Sequence, residues 1–197
     1  MYKYFVFLIL CTIAVPAFSQ QFEGGFFGGF SASQIDGDLF SGYNKIGITA
    51  GAYITRKINR NFNLKTEIRF IQKGAFKRNT ENDPTLFKTS LQYAEVPILL
   101  QYFHNKKLFF EAGLVPEVLL TDKEEDQDGL ISYEPYNRFS LEGTAGIGYF
   151  FNNNLALGAR HNYSLLPVRD HASGQSLRLN RGQYNSVISF SLYYHFR

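Results

Sequence analysis

Residues 183–197 read QYNSVISFSLYYHFR, and the parity of this stretch decides the fold. Tyr184, Ser186, Ile188, Phe190, Leu192, Tyr194 and Phe196 share one side of an extended chain; Gln183, Asn185, Val187, Ser189, Ser191, Tyr193 and His195 share the other. Side chains alternate with a period of two along a strand, so one face is mainly apolar and the other mainly polar. The stretch is long for a soluble-domain strand and carries aromatics near both ends. A long terminal strand with an unpaired edge invites aggregation unless it closes onto another strand. That points to a barrel.

Seven earlier segments repeat the pattern. Residues 22–33 set Phe22, Phe26 and Phe30 among glycines, which in a strand mark tight curvature or close backbone approach. Residues 45–58 place Ile46, Ile48, Ala50, Ala52 and Ile54 opposite Lys45, Thr49, Tyr53 and Thr55. From residue 62 onward, Leu64, Ile68 and Phe70 oppose Lys65, Glu67, Arg69 and Lys73. Residues 91–103, 108–120, 138–151 and 155–165 supply the remaining strands. Pro97 is foreign to an ordinary central strand, so a bulge is expected there. Short turns at 59–61, 104–107 and 152–154 alternate with long polar loops at 34–44, 77–90, 121–137 and 166–182.

An even number of antiparallel strands, short turns on one side and long loops on the other is the signature of an outer-membrane barrel. The segments are long enough for the roughly 9–11 residues needed to cross a bilayer at a tilt. Aromatics gather beside the turns: Phe62, Tyr102, Phe103, Phe109, Phe110, Tyr149, Phe150, Phe151, Tyr193, Tyr194 and Phe196. They read as an interfacial girdle, with Tyr93, Phe139, Tyr163 and Tyr184 as its outer counterpart. Alternation alone does not say which face points inward, and a soluble lipocalin-type barrel would bury its apolar side. The loop asymmetry and the girdles favour apolar outward. The expected fold class is therefore all-β, an eight-stranded antiparallel up-and-down transmembrane barrel.

Residues 1–19 read as a signal peptide. Lys3 precedes an apolar run from Phe5 to Val15, and Ala17-Phe18-Ser19 fits a small-x-small cleavage site. The expected barrel domain is then 20–197, exported to the outer membrane. Cys11, the single cysteine, lies in the signal, so the mature chain has no disulfide, thiolate nucleophile or Cys-ligated metal. A formal charge of +3 gives no push toward nucleic acid.

Residues 93–102 (YAEVPILLQY), 110–113 (FEAG) and 158–163 (GARHNY) resemble the PorT-like outer-membrane β-barrel family. The opening Gly/Phe strand and Gln72-Lys73-Gly74 do so as well. The resemblance covers essentially the whole mature chain and implies a small eight-stranded outer-membrane barrel. It marks an architecture, not an activity.

Three sets of residues are candidates for chemistry. Lys65, Glu67, Arg69, Glu95, Glu111, Glu117, Glu142 and Arg160 fall on the polar faces. An eight-stranded barrel is filled by its side chains, so these are expected to form a lumenal ion-pair network. Glu124, Asp126 and Asp128, with Gly129 next and Glu134 further on, partly match a calcium loop. Glutamate stands first, however, and Glu134 falls one position before the bidentate ligand, so a Ca²⁺ site is the minor expectation and no cofactor the main one. Lys73, Lys77, Arg78, Arg169, Arg178 and Arg181 read as an outer-rim basic set for lipopolysaccharide phosphates.

No catalytic residues are assigned. His161 and Ser164 are three apart and point to opposite sides of a strand. His171 and Ser173 share parity but fall in a loop. The expected function is a side-chain-filled, monomeric barrel that is structural or binds through its four long loops. Its partners are outer-membrane lipids, lipopolysaccharide and the barrel-insertion machinery, with no nucleic acid. The alternatives are a lipid A-modifying barrel enzyme or a narrow ion- or proton-conducting barrel.

Overall fold

A computed structural model describes residues 22–38, 42–77, 86–126, 129–131, 135–170 and 182–196. The signal-peptide segment lies outside them. Eleven strands run β1 Phe22–Asp36, β2 Lys45–Lys57, β3 Phe62–Lys77, β4 Phe87–Glu95, β5 Ile98–Phe103, β6 Leu108–Asp126, β7 Gly129–Ile131, β8 Phe139–Phe150, β9 Leu155–Ser164, β10 Arg169–Asp170 and β11 Gly182–His195. Neighbours pair antiparallel, and β1 pairs β11 from Gly25↔His195 to Asp36↔Tyr184, closing the ring. With β4 and β5 forming one stave, eight staves make the wall; β7 and β10 are short additions at the loop end.

Closure leaves no edge, so every ladder hydrogen bond is made within the protein, as a lipid environment demands. The apolar parity faces outward, with Ile68 73% and Phe139 71% exposed, and Phe30, Ile48, Leu114, Ile147 and Leu192 beside them. A continuous apolar skin of this kind fits lipid, not water.

The expected bulge at Pro97 is not there. Arg69↔Glu95 and Lys65↔Leu99 keep one register through the proline, as do Glu95↔Glu117 and Ile98↔Leu114 on the other side. The carbonyl of Pro97 still accepts from Glu67 N (3.0 Å), and Val96 N donates to Pro116 O (3.0 Å), so only the donor that proline lacks is missing. The bulge lies instead on β6, where Gln92 pairs Thr121 but Tyr93 pairs Leu119, leaving Leu120 extra. Inward-facing residues are odd-numbered before it and even-numbered after it, which turns Glu124 into the interior. β6 also runs past the expected end at residue 120, so the first part of the expected acidic loop is strand.

The three short turns share one construction. Asn59 Oδ1 accepts from Asn61 N and Phe62 N; Asn105 Oδ1 accepts from Lys107 N and Leu108 N; Asn152 Oδ1 accepts from Asn154 N and Leu155 N, all between 2.7 and 2.9 Å. Each asparagine replaces ladder partners for two amides that the reversal leaves without any. Asn152→Ala is expected to lower stability by about 1 kcal/mol, measured by urea unfolding of the refolded barrel, with strand content unchanged.

Candidate functional site: the layered lumen

The interior is stacked in three layers. At the turn end Phe27, Tyr53, Phe109, Ala156 and Tyr193 form an apolar cluster against Phe103 and Phe150. The aromatics beside the turns therefore divide by parity. Tyr102, Phe110, Tyr149, Phe151, Tyr194 and Phe196 face outward as the girdle, whereas Phe109 and Tyr193 are buried in the lumen. Tyr93 likewise belongs to the interior, while Tyr163 and Tyr184 stack at 6.1 Å on the outer wall.

The middle layer is ionic, and it holds all eight of the lumenal candidates. Lys65 Nζ lies 2.8 Å from Glu67 and over the rings of Tyr53 (4.5 Å) and Tyr193 (4.0 Å). Arg160 donates through both terminal nitrogens to Glu67 (2.7 Å each) and through Nε to Glu111, whose other oxygen accepts from Gln101 (3.0 Å). The bidentate fork suits guanidinium geometry. One step toward the loops, Arg69 pairs with Glu95. Lys73 Nζ donates to Glu117 (2.6 Å) and Glu142 (2.7 Å), and lies 2.6 Å from Glu95 Oε1 off the hydrogen-bonding direction. Asn162 donates to the second oxygen of Glu142 (2.9 Å) and accepts from Thr144 (2.9 Å).

Lys73 thus corrects the sequence reading. Expected at the outer rim, it is fully buried at the focus of three carboxylates. Those carboxylates cluster closely enough to hold a cation, and the lysine ammonium occupies that place. Its parity matches Lys65, Glu67 and Arg69, a signal already in the sequence; its closeness to the loop misplaced it.

Above lies a second apolar layer of Ile35, Ile71, Ala75, Leu91, Tyr93, Tyr136, Val168 and Val187. It is capped by Glu124, which accepts from Arg169 through both oxygens (2.7 and 2.9 Å) and from Tyr136 Oη (2.9 Å). Burial pushes the Tyr136 phenol up, with Arg169 opposing and Glu124 adding to the shift. Burial alone would lower the Arg169 guanidinium, but the hydrogen bond to Glu124 together with the charges of Tyr136, Glu124 and Asp122 holds it above its ordinary value. Two expectations change here. Arg169 is buried in an internal pair, not presented to lipid phosphates, and the Glu124 carboxylate is occupied by that pair, not free for calcium. Asp126 sits on β6, paired with Gly129 of β7. Asp128, Glu134, Arg78, Arg178, Arg181, His171 and Ser173 lie outside the described residues. Lys77 ends β3 and is half-buried.

Ser164 faces inward and accepts from Asn185 N (3.1 Å), so it is not a partner of His161. His161 faces outward, where its Nε2 lies 3.1 Å from Ser186 Oγ; Tyr43 Oη lies 2.8 Å from the same oxygen. This cross-strand set was missed because spacing within one strand cannot reveal it.

Comparison with known proteins agrees with the architecture. The barrel is similar to the crystal structure of Ail, the attachment invasion locus protein of Yersinia pestis, at 15% identity and a TM-score of 0.53, over 88% of this chain and 98% of that one. A structure of Ail in a phospholipid bilayer nanodisc aligns at 15% identity and a TM-score of 0.50, over 89% and 100%. Neisserial surface protein A aligns at 13% identity and a TM-score of 0.48, over 89% and 97%. A search of curated proteins finds no match to this chain. Residues 18–170 match the outer membrane protein beta-barrel domain, and with a closed ring, an apolar outer skin and an ionic interior already in view, the chain belongs to that outer-membrane family.

Proposed function

We propose that this protein is a sealed outer-membrane barrel acting through its surfaces, by binding or structural support at its loop end, and not through its lumen. The carrying observation is the layering: an ion-pair core closed by apolar side chains on both sides. Solute passage would require opening both plugs and separating buried charges, which costs several kcal/mol per ion. Its partners in this reading are outer-membrane lipids and lipopolysaccharide, met by the apolar wall and by rim bases that include Lys77, and the machinery that inserts barrels. The protein acts as a monomer, without catalysis or cofactor. The PorT-like affiliation is supported by the segments at 93–102, 110–113 and 158–163, which carry interior Glu95, Glu111 and Arg160. In planar bilayers the purified barrel is expected to give no discrete conductance steps. Reproducible steps would establish the conducting alternative.

One observation favours a second reading, a lipid A-modifying hydrolase: the outward-facing Ser186–His161 contact at 3.1 Å. Against it, Ser186 is only 2% exposed, and among the described residues no carboxylate hydrogen-bonds to His161. Lipid A from overexpressing cells is expected to keep its acyl pattern. A change abolished by Ser186→Ala would reverse the preference.

A further inference from the structure

The turn end of the barrel is not flush. A cavity of about 520 Å³ opens there, bounded by the three short turns and floored by the inner aromatic plug. That is the size of a small-ligand site. Its charge is one-sided. Among the described residues of its lining, Lys57, Arg60 and Lys106 stand at the mouth and Glu23 is the only acid, while Lys65 at the deep end is already paired with Glu67. Glu23 is already engaged, 3.2 Å from His195 Nε2. Lys57, Arg60 and Lys106 make no ion pair or hydrogen bond from their side chains among the described residues. The lumen proper contrasts with this, since every base there faces a carboxylate.

From this geometry we infer a periplasm-facing binding site for a small anion carrying carboxylate or phosphate groups. The reasoning joins three features. Unpaired cations around a concave mouth with low-dielectric walls focus their field into it and raise the local concentration of anions. The side-chain amides of Asn63 and Asn152 line the same wall, so hydrogen bonds are at hand for anion oxygens once water is displaced. The rings of Phe109 and Tyr193 give an apolar base on which a ligand body rests. The site is a closed-ended cup, because the plug beneath it is packed. It binds and does not transmit. It is independent of the loop-end reading above, and either stands without the other.

The test is calorimetric titration of the folded, detergent-solubilised protein with two probes, propane-1,2,3-tricarboxylate and inorganic pyrophosphate. The probe that binds more tightly names the anion class. The triple variant Lys57→Gln/Arg60→Gln/Lys106→Gln is expected to bind about tenfold or more weakly, a loss of about 1.4 kcal/mol. Lys88→Gln, at the opposite end and paired with Glu125, should match wild type. Raising NaCl from about 50 to about 500 mM should weaken wild-type binding, since exposed charges are screened. The rim residues are exposed, and unchanged heat-modifiable gel mobility shows that the variants fold. The inference is overturned if neither probe binds more tightly than about 1 mM, or if the folded triple variant binds as wild type does.

Discussion

Lys73→Met is expected to destabilise the barrel by about 3–5 kcal/mol and to leave most of the protein unfolded or aggregated in refolding trials. The methionine fills nearly the same volume, so the loss is electrostatic. Lys73 Nζ is the hydrogen-bond donor to Glu117 and Glu142 and the second cation beside Glu95. Without it Arg69 faces Glu95 alone, and Glu142 keeps only the amide of Asn162. Glu117 has one oxygen that already finds no partner among the described residues and would then have none at either. Uncompensated buried carboxylates carry a far larger penalty than lost packing. The triple variant Lys73→Met/Glu117→Gln/Glu142→Gln should therefore recover most of the loss, since it removes the charges the lysine neutralises. Urea midpoints in lipid vesicles, with gel mobility before and after boiling, give the readout. A single variant as stable as wild type would show that these groups are solvated in the membrane and that the lumen is not sealed.

The same residue shows where sequence stops informing. Alternation placed Lys65, Glu67, Arg69, Glu95, Glu111, Glu117, Glu142 and Arg160 on inward faces, because a period of two carries that information directly. The ring, the staves and the apolar skin followed from the same rule together with the loop asymmetry. Depth along the stave does not follow from it. Lys73 reads as a rim residue when strands are assumed to end where polar residues begin, yet β3 continues to Lys77 and β6 to Asp126 beyond the apolar skin. Parity itself fails after a bulge. The extra Leu120 reverses inside and outside on β6, so Glu124 looks like the start of a cation loop when it is the anchor of Arg169. Pairings between strands distant in sequence, such as Ser186 with His161 or Arg160 with Glu67, depend on register across the ring, which composition and spacing do not encode.

Closure of the ring should be equally sensitive to one backbone approach. Gly29→Val is expected to cost about 3 kcal/mol or more, while Gly28→Val, one residue earlier, should stay within about 1 kcal/mol of wild type. Both lie in the β1 segment that pairs β11, Gly28 with Leu192 and Gly29 with Ser191. A Cβ built on Gly29 would collide with the carbonyl oxygen of Phe190 and lie 2.7 Å from Ser191 Cα, whereas one on Gly28 meets nothing within 4 Å. The obstacle at Gly29 is backbone, so no rotamer change relieves it, and the two strands must separate at the seam that makes the sheet a barrel. An opened seam exposes unpaired amides and carbonyls to lipid, where they find no partner. The expected readout is the loss of the heat-modifiable folded species for Gly29→Val and its retention for Gly28→Val. If both variants fold with the same urea midpoint, β1 and β11 do not meet at this spacing, and the closed ring on which the sealed lumen depends would have to be redrawn.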